Sequence, residues 1–298
     1  MSVLVVGSAN MDLVFHTARM PIPGETLLGG QFATHPGGKG ANQAVAIGRL
    51  GGVVSFVGKV GLDVFGTALR QSLTAANVDV EFLRTSEGPT GTAGIFVDDG
   101  GRNMIVVAPG ANAEVSPQEV LHAIQAVGAS VVLAQLEIPI EAVAAAVTAE
   151  RFILNPAPAC PLPDTLLARC FALTPNESEL ESLTGIAPTD DSVILRASKY
   201  LMDRGVLNVV VTLGEKGSSW VSAAGGRHFD APAVTPVDTT AAGDAFNGAL
   251  AMFLAEGRDL ENAIPLANCV GALATTRAGA QESMPSRDEL RALAGPLY

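Results

Sequence analysis

The sequence predicts an α/β fold in which one mostly parallel sheet is covered by helices on both faces and two β-only segments stand apart from it. Three observations lead there. Short runs rich in Val, Ile and Leu alternate with Ala-rich helical stretches along the whole chain, and two segments carry strand and turn signals with no helix between them. A length of 298 residues also suits one large domain, which buries roughly three quarters of the unfolded chain's surface.

The runs, in order, are VLVVG from Val3, VSFVG from Val54, SVVLAQL from Ser130, FILNPA from Phe152, CFALTPN from Cys170 and NVVVTLG from Asn208. They are apolar continuously rather than alternately, as expected of strands buried on both sides. The exceptions are residues from about 12 to 34 and from 91 to 111. In the second of these, GIFVDDGGRNMIVV sets two β-rich runs around Asp98-Asp99-Gly100-Gly101, a hairpin signal. From the residues alone, both segments read as edge hairpins.

A helix from about Ala41 to Leu50 follows HPGGKGAN, where Gly37, Gly38 and Gly40 allow a tight turn and leave Lys39 and Asn42 at its mouth. The cluster is not a Walker A loop, because Gly40 and Ala41 follow Lys39 where Ser or Thr is required. An ordinary loop and cap would explain it equally well. Further on, TPVDTTAAGDAFNGAL puts Asp244 behind two small residues and a glycine at the start of another helix. The N–H groups of Ala242, Gly243 and Asp244 can converge there on an anion, helped by the helix dipole. Asp244 beside a phosphoryl group would accept a proton from an attacking hydroxyl. A plain N-terminal cap is the competing reading of the same residues.

Composition narrows the function classes. A net charge of −12 argues against nonspecific nucleic-acid binding and against docking to an anionic membrane. No apolar run reaches the ~18 residues of a membrane span. MSVLVVGSANMD has no basic region before its apolar run, so it reads as a buried strand rather than a secretory signal. Cys160, Cys170 and Cys269 lack metal-ligand spacing and suit reduced thiols in a cytoplasm. An acidic protein that binds a nucleotide must do so locally, through glycine-loop amides, helix N-termini, a basic residue such as Lys39, and Mg²⁺ carried in with the phosphates.

Together with GSANMD (residues 7–12), NPAP (155–158), TPNESE (174–179) and TLGEKG (212–217), these motifs resemble the PfkB family of carbohydrate kinases, and within it the ribokinases. The likeness holds in order and spacing along essentially the whole chain. It implies a ribokinase-like three-layer α/β/α core as a single domain over residues 1–298, with a small β-sheet lid formed by about 12–34 and 91–111. That lid would cover the sugar and pair with its counterpart in a homodimer.

The resemblance also implies ATP-dependent phosphorylation of D-ribose at O5. Asp244 would be the base, with the Ala242 and Gly243 amides stabilising phosphoryl charge. Asn10, Asp12, Gly38, Lys39, Asn42 and Glu137 would orient the sugar. Asn176, Thr212, Gly214, Gly217, Gly243 and Asn268 would hold the nucleotide, and Glu179 would reach Mg²⁺ through water. TTRAGAQES, with Asp238 and Thr240, resembles a monovalent-cation loop whose ligands would be Asp238, Thr240, Ala274, Arg277, Gly279 and Ser283. Carbonyl-rich ligation with one carboxylate suits K⁺.

Ala245, where relatives commonly carry a hydroxyl, and VVAPGAN in the lid depart from the pattern and bear on which sugar is preferred. Other kinases of the family, acting on fructose, 2-keto-3-deoxygluconate or adenosine, are the alternatives, with a non-catalytic sugar-binding regulatory protein behind them. Two Tyr and one Trp leave no evident aromatic platform for a nucleoside base.

Overall fold

The computed structural model describes residues 1–28 and 30–298. Its strands are β1 (Val3–Val6), β2 (Asn10–Thr17), β3 (Gln31–Gly37), β4 (Val54–Gly61), β5 (Leu83–Ser86), β6 (Gly91–Asp98), β7 (Asn103–Ala108), β8 (Val131–Ala134), β9 (Phe152–Leu154), β10 (Ala172–Leu173), β11 (Val209–Thr212), β12 (Ser218–Ser222) and β13 (Gly225–Phe229). All six apolar runs form strands of one large sheet, ordered β13-β12-β11-β10-β9-β8-β1-β4-β5. Pairing is parallel from β5 through β11.

The absence of alternation in these runs has a direct cause. Val3 and Val5 of β1 join Phe56, Leu133 and Ile153 in a core beneath the helices Lys39–Arg49, Ala242–Ala255 and Leu260–Ala274. Leu4 and Val6 face the other way, into a second core with Val57, Val132 and Leu154 beneath the helices Pro117–Val127 and Asp191–Asp203. Two cores on either side of one sheet make three layers. Truncating a fully buried member such as Leu133 to Ala would cost about 2–5 kcal/mol.

Strands β12 and β13 close one edge as an antiparallel pair that the sequence reading did not anticipate. Gly225 to His228 of β13 are exposed, so the segment lacks the apolar continuity that marked the other strands.

The two expected hairpins are both present and are joined into one smaller sheet ordered β3-β2-β6-β7, as the family resemblance, though not the residues alone, implied. The join is a parallel pairing of β2 with β6, from Asn10 opposite Gly91 to Thr17 opposite Asp98. In the β6–β7 turn the Gly101 N–H donates to the Asp98 carbonyl at 2.8 Å. Every residue of β7 is exposed.

The helix after HPGGKGAN starts at Lys39, two residues before the expected Ala41, with Gly38 as its N-cap at φ 88°. A Cβ on Gly38 would lie 2.6 Å from the Asn10 nitrogen, and one on Gly40 would lie 2.7 Å from the Gly7 Cα. These glycines let the helix start pass against the β1–β2 connection, which fixes Lys39 next to Asn10. Among the described residues no helix is long and apolar enough to cross a membrane. All three cysteines are unpaired.

Candidate active site

The cleft lies where the parallel strands end, the position at which open α/β sheets present ligand groups. Residues 8–10 follow β1, Glu137 follows β8, Asn155 follows β9, Asn176 follows β10, and Thr212 closes β11. Asn10 and Asp12 do not sit in a loop after the first strand. They open β2 on one face of the smaller sheet, so that sheet supplies one wall.

Asp244 lies in the first turn of Ala242–Ala255 and is 7% exposed. It does not cap its helix: the N-cap is Ala241, with no side-chain cap bond. Instead its Oδ2 accepts from Asn42 Nδ2 at 2.9 Å and its Oδ1 from Gln43 Nε2 at 2.9 Å. Burial pushes the Asp244 carboxyl above its ordinary range, opposed by the Lys39 ammonium and by these two amide donors.

Ala241 has φ 59°, a left-handed conformation that costs a non-glycine residue roughly 1–2 kcal/mol. It turns the chain into the helix so that the N–H groups of Gly243 and Asp244 are left without an acceptor among the described residues. The Ala242 amide, expected to join them, is engaged with the Thr239 carbonyl at 3.3 Å. The free donors are therefore two rather than three. Gly243 is exposed, and no atom lies within 4 Å of where its Cβ would be. Unpaired amides at a helix N-terminus facing open space can receive an anion.

Lys39 is the cation of the cleft. Its ammonium is held above its ordinary value by Asp244 first, against the effect of burial, and by Glu137, Glu179 and Asp12 after it. Glu137 has a structural task as well, because its Oε2 accepts from the Ser8 hydroxyl and, at 3.1 Å, from the Lys39 N–H. Only Oε1 remains for a ligand. Burial, reinforced by repulsion from Glu137, pushes the Asp12 carboxyl up to about 7, with His35 opposing. Gly37 forms the adjoining wall, since a Cβ there would lie 2.3 Å from Asp12 Oδ2.

Asn10 is buried, and its Oδ1 accepts from Asn112 Nδ2 at 2.7 Å. Asn112 also holds the backbone of Ala9, accepting from its N–H at 2.9 Å and donating to its carbonyl at 3.2 Å. Nothing in the sequence marked Asn112 beyond its place in VVAPGAN. Asn42, expected to face a sugar, spends its Nδ2 on Asp244, while its buried Oδ1 has no partner.

On the opposite side, Asn176 and Glu179 form a capping box. Asn176 Oδ1 accepts from the Glu179 N–H at 2.8 Å, and Glu179 Oε2 accepts from the Asn176 N–H at 2.9 Å. The N-x-x-E spacing thus has a complete local explanation that leaves Glu179 Oε1 unspent. Burial nevertheless raises the Glu179 carboxyl, and Asp244 adds to the effect. Thr212 bridges to Asn176, and its N–H donates to the Pro175 carbonyl at 3.0 Å. Gly214 and Gly217 shape the next turn at φ 59° and 92°. Asn268 is buried rather than a surface polar residue, and its Nδ2 donates to the Phe229 carbonyl at 3.1 Å.

Behind the Gly243 turn, Asp238 ties two loops together. Its Oδ1 accepts from the Thr240 N–H and its Oδ2 from the Gly279 N–H, each at 2.9 Å. Burial acts to raise the Asp238 carboxyl, but these hydrogen bonds prevail and hold it below the usual range. Ser283 is fully buried, its hydroxyl donating to the Ala280 carbonyl. The carbonyls of Thr240, Ala274, Arg277 and Gly279 accept no hydrogen bond from the described residues. An oxygen-rich set of this kind fits a large monovalent cation.

Residues 1–287 match the model of the pfkB family carbohydrate kinases. The chain is 40% identical over 301 residues to the ribokinase of Bacillus subtilis (strain 168), covering 98% of this chain and 99% of that one. It is 36% identical over 297 residues to the deoxyribokinase of Salmonella typhi, covering 97% of each. Its fold matches the crystal structure of ribokinase from Thermotoga maritima with a TM-score of 0.90, at 36% identity over 98% of both chains. It matches the Arabidopsis thaliana ribokinase complexed with ribose and ATP equally well, with a TM-score of 0.90 at 32% identity over 99% of this chain and 98% of that one. The chain belongs to the pfkB family of carbohydrate kinases.

Proposed function

We propose that this sugar kinase transfers the γ-phosphoryl group of ATP to O5 of D-ribose, giving D-ribose 5-phosphate and ADP. The observation that carries the reading is the buried Asp244 carboxylate, fixed by Asn42 and Gln43 beside two unengaged amides. Asp244 takes the proton of the attacking hydroxyl as the new P–O bond forms and the bond to ADP breaks. The Gly243 and Asp244 amides receive the charge on the phosphoryl oxygens. Asn10, Asp12, Gly38, Lys39, Asn42 and Glu137 orient the sugar. Asn176, Thr212, Gly214, Gly217 and Asn268 hold the nucleotide.

A divalent ion, Mg²⁺, enters with the ATP phosphates and neutralises part of their charge. Glu179 Oε1, left free by the capping box, suits the orienting of a water on that ion.

D-ribose is expected to give the highest kcat/KM in a coupled ADP-release assay across pentoses, hexoses and nucleosides. Similarity to a deoxyribokinase makes 2-deoxy-D-ribose the informative competitor. Lacking one hydroxyl, it leaves a buried partner unpaired, which costs about 1–3 kcal/mol, or roughly 5- to 150-fold. A preference for the deoxy sugar would change the substrate while keeping the chemistry.

We also infer a K⁺ site formed by Asp238, Thr240, Ala274, Arg277, Gly279 and Ser283, supported by the four unengaged carbonyls. Exchanging K⁺ for Na⁺ at constant ionic strength should lower kcat/KM several-fold, and Asp238→Ala should abolish the difference. Equal rates of the unmodified protein in the two salts would exclude the ion from activation.

Pairing of two copies through the smaller sheet is the assembly this reading favours. Exposed Ile105 and Val106 on the edge strand β7 support it, and sedimentation of a charged β7 variant such as Val106→Glu tests it.

A further inference from the structure

Behind Asp244, the Gln43 contact already described continues into a set of buried polar side chains that the chemistry above does not use. Gln43 is fully buried, and its Nε2 donates both to Asp244 Oδ1 at 2.9 Å and to Asn155 Oδ1 at 3.1 Å. Its Oε1 accepts from Nε2 of Gln135, also fully buried. Asn155 Nδ2 donates to the Thr174 carbonyl at 3.1 Å, and the Thr174 hydroxyl donates to Asn247 Oδ1. Asn247 Nδ2 then donates to the Gly243 carbonyl at 2.8 Å. The chain of bonds leaves the Asp244 carboxylate, passes through the ends of β9 and β10, and returns to the turn whose amides stand free.

The direction of these bonds is imposed. An ionised carboxylate only accepts, so Gln43 must present its NH₂ to Asp244 and its oxygen to Gln135, which must then donate. Along the Gln135–Gln43 branch each donor polarises the next toward the charge. A core that needed only to be filled would use apolar side chains here. Five buried polar residues at this point are costly unless satisfied, and Gln135 Oε1 remains without a partner.

We propose that Gln43 is a positioning residue that, with Gln135 and Asn155 behind it, fixes the Asp244 carboxylate relative to the Gly243 turn. Gln43 is fully buried, with its amide committed to Asp244, Asn155 and Gln135, so it acts through Asp244. The inference rests on the reading of Asp244 as the base.

The test uses Gln43→Met, which keeps the length and volume of the side chain but removes its donor, in the unmodified and the Asp244→Asn backgrounds. In the unmodified background kcat should fall about 10- to 100-fold, the range that a small misplacement of a reacting group causes, with KM for sugar and for ATP within about threefold. In the Asp244→Asn background the same substitution should change kcat less than about twofold, because the group being positioned is already gone. An equal loss in both backgrounds, or an unchanged kcat in the first, overturns the proposal. If Gln43→Met does not fold, Gln135→Met, one bond further away, provides the same comparison with a smaller loss of about 3- to 10-fold. Should Asp244→Asn itself turn over normally, the base assignment fails, an outcome distinct from failure of the positioning role alone.

Discussion

Asp244→Asn is expected to lower kcat by about 10²- to 10⁴-fold, the span associated with loss of a general base, with little change in KM for the sugar. The isosteric amide keeps the volume of a side chain that is 7% exposed, so the fold should persist. One Asn oxygen can still accept from Asn42 or Gln43, and circular dichroism and thermal melting would confirm that only the chemistry is lost. Single-turnover measurement of ADP formation at saturating sugar isolates the step. Turnover close to that of the unmodified enzyme would require another proton acceptor, and the cleft's remaining carboxylates would then have to be tested in turn.

Asp12→Asn should separate binding from stability. Loss of the carboxylate weakens its contact with sugar hydroxyls, and kcat/KM should fall about 10- to 100-fold through KM, as a lost charged hydrogen bond would cause. The same substitution should raise the melting temperature at pH 8. The Asp12 carboxyl lies at about 7 in the folded protein against an ordinary 3.8, so folding takes up a proton between these values. Its contribution is therefore unfavourable: stability falls as pH rises from about 4 to 7 and levels off above the folded value. Three units correspond to at most about 4 kcal/mol. At a half-buried site solvent screening reduces this, and a gain of about 1–3 kcal/mol at pH 8 is expected. The gain should shrink toward zero near pH 4, and a melting-temperature difference constant from pH 4 to 8 would refute it. Below pH 7 the unmodified enzyme should also show a rising sugar KM as Asp12 becomes protonated.

Much of the fold was legible because its signals are local. Six apolar runs gave six strands, and Asp98 to Gly101 gave a hairpin turn, since each depends on residues a few positions apart. The family resemblance implied one small sheet from both segments, but the parallel pairing of β2 with β6 was not legible in the residues themselves, because nothing near Asn10 indicates that it pairs with Gly91. The site followed the same division. Asp244 and the glycine clusters announced themselves, whereas Gln43 looked like an ordinary helix residue until Asp244, 201 positions away, was placed against it.

Asn112 was missed for the same reason, its partners lying 102 and 103 residues away. Asn176 and Glu179 show the reverse difficulty. A capping box and a phosphate-side motif share one spacing, and the structure displays the cap directly. Asp244 is the opposite case, as the cap its sequence allowed is absent and the carboxylate points elsewhere.

The crowding of carboxylates around Lys39 has a consequence for what can enter the cleft. Asp244, Glu137, Glu179 and Asp12 all act on that ammonium, so carboxylates outnumber the cation that faces them. A neutral sugar crosses this field without penalty, whereas a bare polyphosphate is repelled from the same mouth and becomes acceptable once a divalent cation has cancelled part of its charge. The cleft is thus an electrostatic filter. It disfavours uncomplexed polyanions while admitting a neutral sugar and a metal-bound nucleotide.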